Sequence, residues 1–254
     1  MRGSTAFLRK EMIEIARTWR IWVLPGIVVF FALSGPVLAK LTPQLLESVG
    51  AGQEGVVIRI PTPTYTDGFL QWTQNLAQLV TFAIVIIFGG VVSAERRSGT
   101  AVLVLTKPLT RAAFVLAKFA GNAVLLVCAV TIGALLTWGV TYAVFGEAPY
   151  RPLAEATGVW LVWGLMLLGI MTLLSVAVDS QAGAAGAGLG VFLVLSVLSL
   201  WGPALRYTPA GLVGAPTDVV MSRPGDLLFP LVTGAATGAL ALAAAVRLFE
   251  RKEL

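Results

Sequence analysis

Residues 93 to 118 read SAERRSGTAVLVLTKPLTRAAFVLAK and place six ionic side chains between two long apolar runs. Only 12% of the 254 residues are charged, whereas 57% are hydrophobic. Soluble domains carry roughly 25% charged residues. The apolar runs recur along the chain, and at about 20 residues each they are long enough to cross the hydrocarbon core of a bilayer. The chain is therefore predicted to be an integral membrane protein without a separate soluble domain.

The apolar runs predict six transmembrane helices in one all-α domain that covers residues 1–254. Their length and their lack of alternation favour helices over strands. The first helix is predicted to stay on the protein, because no small-residue cleavage site lies near its end. The predicted spans are residues 21–39, 73–93, 118–145, 156–178, 182–202 and 227–247.

The distribution of lysine and arginine predicts how these helices are oriented. Thirteen basic residues fall in the N-terminal tail, around the loop at 94–117 and in the C-terminal tail, whereas five fall in the segments on the other side. Basic residues concentrate on the cytoplasmic side of membrane proteins. Both termini and the loop are therefore predicted to face the cytoplasm from the inner (cytoplasmic) membrane. Tryptophans at the predicted outer ends suggest an interfacial belt, namely Trp72, Trp160, Trp163 and Trp201.

Residues 1–20 have an amphipathic pattern of their own. Apolar residues recur there at spacings of four, three, four and three, with charged residues on the opposite face. This pattern predicts a helix that lies in the membrane interface before the chain turns inward. The alternative is that span one begins early, as one long helix. The apolar stripe consists of Leu8, Met12, Ile15, Trp19 and Trp22.

Two segments on the predicted outer side are long. Residues 40–72 are too rich in proline for a helix throughout, and a short hairpin is one expectation. Residues 203–226 are either a re-entrant segment covered by protein or a loop folded over the outer face. Glycines four residues apart in spans five and six predict close helix packing. This packing is expected within the chain, at an interface between subunits, or at a mobile wall of the translocation pathway. They are Gly186, Gly190, Gly234 and Gly238.

The charged stretch divides into a short apolar helix between two breakers. Ser-Gly-Thr at 98–100 interrupts the helix of span two, and AVLVLT at 101–106 is too short to cross a membrane. Pro108 ends this apolar piece, and Thr110 can cap span three. An exposed apolar turn flanked by cations indicates a protein partner. The alternative is a basic loop that fixes the topology and touches lipid headgroups.

The same stretch resembles the first cytoplasmic loop of permease subunits of the ABC-2 class of ATP-binding-cassette transporters. That family has a glutamate and a basic residue, Ser-Gly-Thr, a short apolar helix, a proline, a hydroxyl residue with an arginine, and a lysine that opens the next helix. PTPTYTDGFLQWTQNLAQ at 61–78 and YTPAGLV at 207–213 also resemble the family. The matching loop residues are Glu95, Arg96, Ser98, Gly99, Thr100, Pro108, Thr110, Arg111 and Lys118.

The resemblance implies a fold and a mechanism. It implies an N-terminal elbow helix, a coupling helix around 98–106 that docks on a nucleotide-binding subunit, and re-entrant outer helices after span five. Two permease subunits, identical or similar, would assemble with two ATPase subunits that bind ATP and Mg²⁺ and drive transport outward. The geometry of the loop is expected to depend on Glu95, Gly99 and Thr100. The apolar contact of the loop with the ATPase is expected to be made by Val102, Leu103 and Leu105.

The chain itself is not predicted to be an enzyme. It has no G-x-x-x-x-G-K-[ST] phosphate-binding loop, so the ATPase is expected to be a separate chain. It has no histidine and one cysteine, Cys128, which argues against metal-dependent chemistry. No catalytic, cofactor or metal site and no nucleic-acid partner are therefore predicted in this chain.

The cargo is inferred from the scarcity of ionisable residues within the spans. Ion-coupled carriers place such residues in the membrane, so an ion-coupled secondary carrier is disfavoured. An apolar or amphipathic cargo such as a drug, a lipid or a lipopeptide is favoured instead. The remaining alternative is a membrane anchor or an accessory component of an ATPase complex, for example in copper-enzyme maturation.

Overall fold

The computed structural model of the chain describes residues 2–50, 62–97, 110–223 and 225–252. Within these ranges the regular structure is entirely helical. A π-helix covers Leu76–Val80 and a 3-10 helix covers Pro209–Leu212. The α-helices, numbered in chain order, are α1 Arg2–Arg17, α2 Arg20–Gly50, α3 Tyr65–Asn75, α4 Thr81–Phe88, α5 Ser93–Arg97, α6 Arg111–Phe145, α7 Tyr150–Ala177, α8 Gln181–Leu198, α9 Gly202–Tyr207, α10 Ala215–Val220 and α11 Leu228–Arg251.

Six stretches of the described chain are long and apolar enough to cross a membrane, which confirms the predicted six-span all-α fold. Span one is α2, and span two runs through α3, the π-helix, α4 and α5. Spans three, four, five and six are α6, α7, α8 and α11. Every predicted span overlaps one of these helices.

The largest differences from the predicted boundaries concern the first two spans. The helix of span one continues to Gly50 instead of ending near residue 39, with Pro36 and Pro43 inside it. Helices in membranes tolerate proline, because neighbouring groups satisfy the backbone atoms that proline leaves free. Span two begins at Tyr65 instead of residue 73. A hairpin was one expectation for residues 40–72, but residues 40–50 and 65–72 are helical. Residues 51–61 lie outside the described residues.

Helix α1 is separate from span one. The backbone turns at Thr18, whose hydroxyl donates to the carbonyl of Ile15 at 3.0 Å. The side chains of Phe7, Glu11 and Ile15 are buried, and they follow one another at four-residue spacing. Because α1 packs along the start of α6 with this face, the predicted single apolar stripe is divided. Ile15 lies inside, Met12 and Trp19 are exposed, and the side chain of Leu8 lies outside the described residues.

Spans two and four form the centre of the bundle. In the most apolar 18-residue stretch of each of these two spans, 72% is buried inside the protein, compared with 11% in span five. The indole N–H of Trp72 donates to the hydroxyl of Thr157 at 3.1 Å, and that of Trp163 donates to Thr81 at 3.3 Å. Trp72, Trp160 and Trp163 are thus core residues instead of an interfacial belt, whereas Trp201 is exposed. Most buried indole N–H groups are hydrogen-bonded, and the threonines of these two spans accept those of Trp72 and Trp163.

The segment between spans five and six folds into α9, the 3-10 helix and α10. Its apolar residues Ala210, Leu212 and Ala215 are buried, so the segment is packed against the bundle. The hydroxyl of Thr217 lies 3.3 Å from that of Thr73 in span two. This geometry provides the protein cover that a re-entrant segment requires.

Span three is a single helix of 35 residues, or about 52 Å at 1.5 Å per residue. The Thr110 hydroxyl accepts the N–H of Ala113 at 3.2 Å, so Thr110 caps the helix as its sequence position predicts. The helix ends at Gly146, whose φ of 81° lies in the left-handed region that glycine adopts without strain.

Candidate functional site

The structure describes the two flanks of the predicted coupling loop. The flanking residues in the described ranges are Glu95 and Arg96 at the end of span two, and Thr110 and Arg111 at the start of span three. The remaining predicted loop residues lie outside the described residues, namely Ser98, Gly99, Thr100, Val102, Leu103, Leu105 and Pro108. The contacts that hold the two flanks in place thus lie within the described residues.

Lys118 lies at the centre of the first group of charges. Its ammonium donates to the carboxylate of Glu11 at 3.0 Å and also bonds that of Glu95. The side chains of Lys118 and Glu11 are each 3% exposed, and that of Glu95 is 14% exposed. The interaction joins α1, the end of span two and the start of span three. Arg20 lies around the same cavity as Glu11, Glu95 and Lys118. We call the whole group of charged residues here the elbow cluster, and its members are Lys10, Glu11, Glu14, Arg20, Glu95 and Lys118.

The elbow cluster contains three acidic and three basic side chains. Lys10 forms ion pairs with Glu14 and, at 3.3 Å, with Glu11. Burial disfavours the charge on Glu14, but the hydrogen bond from Lys10 and the charge of Lys118 outweigh it and hold the pKa of Glu14 below its ordinary value. Burial also disfavours the charge on Lys10, and the pairing with Glu14 and Glu11 nevertheless raises the pKa of Lys10.

The carboxylate oxygens of Glu11, Glu14 and Glu95 lie within 4.8 Å of one another. Three carboxylates at this spacing could ligate a metal ion. Here the Lys118 ammonium already bonds two of them, and Lys10 bonds the third. Since the positive charge is supplied by the chain itself, the arrangement is that of an ion-pair network. A cavity of about 270 Å³ adjoins it, and the other residues of its lining are Ile15, Thr18, Trp19, Gly90, Val91 and Ala94.

A second group of charges contains the two arginines of the loop flanks, Arg96 and Arg111. The Arg96 guanidinium donates to Asp179 at 2.8 Å and to the Val176 carbonyl at 3.1 Å. The Lys252 ammonium donates to the same Asp179 oxygen at 3.0 Å. Arg111 donates to the Lys252 carbonyl at 2.6 Å. We call Arg96, Arg111, Asp179 and Lys252 the turn cluster, because Asp179 lies in the turn between spans four and five.

Asp179 is exposed, yet two cations share one of its oxygens. The hydrogen bonds from Lys252 and Arg96, in that order, lower the pKa of Asp179. Lys252 also donates to the carbonyls of Val176 and Ala177, which end the helix of span four. Cations at a helix C-terminus complement the partial negative charge there. Lys252, which follows α11, is thereby fixed to the turn.

The two clusters bring five parts of the chain to one end of the bundle. These parts are α1, the end of span two, the start of span three, the turn at 178–180 and the end of α11. The other end contains Lys40, whose ammonium donates to the Val144 carbonyl at the end of span three, at 2.6 Å. The sequence predicts that the first end faces the cytoplasm.

The glycines predicted to pack helices fall in two kinds of surroundings. A Cβ on Gly234 would lie 2.5 Å from Leu212, and a Cβ on Gly238 would lie 3.0 Å from the Cα of Met166. A Cβ on Gly186 or Gly190 would meet open space among the described residues, and both positions are exposed. The pair in span six therefore contacts neighbouring segments of this chain, whereas the pair in span five faces outward.

Sequence reasoning did not single out Glu11, Asp179 or Lys252 as part of a site. The available signal for Glu11 was its position between Phe7 and Ile15 on one face of a helix. A carboxylate on an otherwise apolar face needs a buried cation, and Lys118 meets that need. No such signal exists for Asp179 and Lys252, because 73 residues separate them.

Comparison with known proteins agrees with this architecture. The family described as "ABC-2 family transporter protein" matches residues 5–210. The chain is similar to the uncharacterized transmembrane protein YxlG of Bacillus subtilis (strain 168), with 21% identity over 211 residues that cover 83% of this chain and 82% of that protein. It is also similar to the probable ABC transporter permease protein NosY of Stutzerimonas stutzeri, with 34% identity over 140 residues that cover 50% of this chain and 49% of that protein. The family match over most of the chain, together with six helices able to cross a membrane, identifies the protein as a multi-pass permease of the ABC-2 transporter family.

Proposed function

We propose that the chain is the permease subunit of an exporter and that a separate nucleotide-binding ATPase subunit drives it through residues 98–109. The observation that carries this proposal is that both flanks of that segment are fixed to other parts of the bundle. Glu95 is bonded to Lys118 in the elbow cluster, and Arg96 and Arg111 belong to the turn cluster. A force applied between residues 97 and 110 therefore reaches more than the two helices that the segment joins.

The ion pairs of Lys118 with Glu11 and Glu95 are suited to transmit such a force because they are buried. A buried ion pair keeps its geometry, since separating the charges in a medium of low polarity is costly. Displacement of Glu95 would move Lys118 and, through it, Glu11 on α1. The turn cluster would move the turn between spans four and five in the same way. The ATPase subunit, present in two copies with ATP and Mg²⁺, would supply the force, and a second permease subunit would complete the pathway.

The proposed cargo is apolar or amphipathic. The charges described above are concentrated at the end of the bundle that carries the two clusters, whereas the interior of spans two and four is lined by tryptophans, threonines and aliphatic residues. A path past such surfaces favours a drug, a lipid or a lipopeptide over a free ion. The charge distribution of the sequence predicts that both termini lie in the cytoplasm, on the inner side of the inner membrane. Export is proposed because the resemblance to the family implies outward transport.

The decisive experiment replaces Gly99 by tryptophan. The chain is co-expressed with a candidate phosphate-loop ATPase subunit and reconstituted in vesicles that contain a fluorescent lipid analogue. We expect Gly99→Trp to reduce analogue transport at least tenfold without changing membrane insertion. Gly225→Trp, at an exposed glycine on the opposite side with open space around it, serves as the matched control. Normal transport by Gly99→Trp would refute the coupling assignment.

The second candidate is a membrane anchor for an ATPase complex that transports nothing. The same contacts at the loop flanks would serve to dock the ATPase. The two functions differ in the response of ATP hydrolysis to cargo, because only a transporter couples the two. Stimulation of ATP hydrolysis by the lipid analogue would support transport, and an unchanged rate in a correctly assembled complex would support anchoring.

A further inference from the structure

Span two is interrupted just before the loop. Between α4 and α5, residues 89–92 form a turn. The Val91 N–H donates to the carbonyl of Phe88, three residues back, at 3.2 Å, and four-residue bonding resumes where Ala94 donates to Gly90 at 3.3 Å. The N–H groups of Val92 and Ser93 fall between these bonds. We call residues 89–92 the span-two break.

The hydroxyl oxygen of Ser175 accepts both of these N–H groups. The Val92 nitrogen lies 2.9 Å from it and the Ser93 nitrogen 3.1 Å. Ser175 is 0% exposed and is located in the last turn of span four. A backbone N–H without a partner is costly inside a membrane protein, so a single side chain satisfies the donors that the interruption creates.

Side chains also satisfy two carbonyls near the break. The Gln181 amide donates to the Ile86 carbonyl at 3.1 Å, and the Ser93 hydroxyl donates to the Gly89 carbonyl at 3.2 Å. A Cβ on Gly89 would lie 2.9 Å from the Gln181 carbonyl oxygen, and a Cβ on Gly90 would lie 2.8 Å from its side-chain oxygen. Two glycines are therefore needed for Gln181 to approach so closely.

The short helix α5 is bound to the same part of the chain as the break. Arg96 contacts the Val176 carbonyl and Asp179. Ser175 and Val176 lie at the end of span four, Asp179 lies in the turn that follows, and Gln181 begins span five. The Ser175 hydroxyl thus replaces the backbone acceptors that are missing at the break, and Arg96 joins α5 to the end of span four and to the turn.

We propose that Ser175 is a positioning residue of the transporter. With Gln181 it holds the span-two break and joins α5 to the turn between spans four and five. A displacement of residues 98–109 then reaches spans four and five before it reaches the upper part of span two. This mechanical consequence rests on the proposed function, whereas the role of Ser175 at the break does not.

Hydrogen–deuterium exchange on the full chain in lipid nanodiscs tests the proposal without a partner. We expect Ser175→Ala to speed exchange at Val92 and Ser93 by about tenfold, because both N–H groups lose their acceptor. Ser175→Thr keeps a hydroxyl and should restore slow exchange. Thr172→Ala is the matched control, since it removes a buried hydroxyl from the same helix that bonds only the Leu168 carbonyl at 2.8 Å.

Gln181→Leu provides a second, independent variant, and it should speed exchange across residues 86–93 while the melting temperature stays within about 2 °C of the wild type. Exchange within twofold of the wild type in Ser175→Ala would overturn the proposal, as would equal acceleration in Thr172→Ala. Addition of the ATPase subunit with ATP forms a separate arm of the experiment. If exchange at 98–109 does not respond there, the proposed function fails while the result for Ser175 stands.

Discussion

Lys118 is the residue on which the first group of charges depends. Its ammonium lies between the carboxylates of Glu11 and Glu95 and is almost fully buried. Lys118→Met keeps most of the side-chain length but leaves two buried carboxylates facing each other. We expect this variant to lose about 3 to 5 kcal/mol of unfolding free energy, the usual cost of removing one partner from a buried pair. Thermal unfolding in nanodiscs measures the loss.

The control for this prediction is Arg151→Ala, because Arg151 pairs with Glu155 on an exposed helix surface. Exposed pairs four residues apart contribute little to stability, so the control should unfold almost like the wild type. The triple variant Glu11→Gln, Glu95→Gln, Lys118→Met removes the three charges together and should recover part of the loss. Equal stability of Lys118→Met and Arg151→Ala would contradict the assigned role of Lys118.

Asp179 is expected to make the stability of the folded chain depend on pH in the acid range. Its pKa is lowered from an ordinary value of 3.8 by Lys252 and then by Arg96. A carboxylate with a lowered pKa stabilises the folded state above its unfolded pKa, and this contribution disappears as the pH falls through the folded pKa. Asp179→Asn should therefore lower the melting temperature at neutral pH. The difference from the wild type should vanish below the lowered pKa, and a difference that persists there would contradict this assignment.

At the scale of whole helices, the backbones of spans four and six approach each other closely. A Cβ on Gly169 would lie 2.7 Å from the carbonyl oxygen of Gly238. Because both helix backbones contribute to this contact, Gly169→Leu must separate the helices, and we expect a loss of about 1 to 3 kcal/mol. Unfolding of the purified chain measures it.

Gly186→Leu is the matched substitution on span five, where the added side chain meets open space within the chain. It should leave the stability of the isolated chain within about 0.5 kcal/mol of the wild type. A reduced subunit assembly of this variant, measured by light scattering in nanodiscs, would locate a subunit interface on that face. A large loss of stability in the isolated chain would contradict the described surroundings of Gly186.

The sequence predicts whole elements better than it predicts how they contact one another. Long apolar runs indicate the spans because their length alone matches a bilayer. The interruption of span two is not visible in the same way, since GGVV at 89–92 is as apolar as its surroundings. The stripe on α1 was predicted as one surface, but Ile15 packs on span three while Met12 is exposed. Periodicity identifies a helical face and cannot assign it to protein or to lipid.

For the whole molecule, the two clusters and the contact between Lys40 and Val144 define two opposite ends. In a Cys128→Ser background, single cysteines replace Glu147 and Glu250, which are exposed at these ends. We expect an impermeant maleimide to label residue 147 in intact cells and residue 250 only after permeabilisation. The reverse pattern would contradict the predicted orientation and, with it, the docking of a cytoplasmic ATPase.

The composition of the candidate site could be predicted only in part for the molecule as a whole. Glu95, Arg96, Thr110 and Arg111 were identified because they lie close together in sequence and match a family pattern. Asp179 and Lys252 contribute equally to the turn cluster, yet they reach it from distant parts of the chain. Contacts of that kind depend on how six helices are arranged, which the pattern of a single sequence does not specify.

The length of span three relates the protein to the thickness of its membrane. After Lys118 the helix continues for 27 residues to Phe145, or about 40 Å, whereas a typical hydrocarbon core measures about 30 Å. A rod longer than the layer it crosses must tilt, or the acyl chains beside it must stretch. In lipids with longer acyl chains, the helix of span three would tilt less from the membrane normal, and in lipids with shorter chains it would tilt more. Because Lys118 near the start of span three is bonded to Glu11 on α1, a change of helix tilt imposed by the lipid would also displace α1.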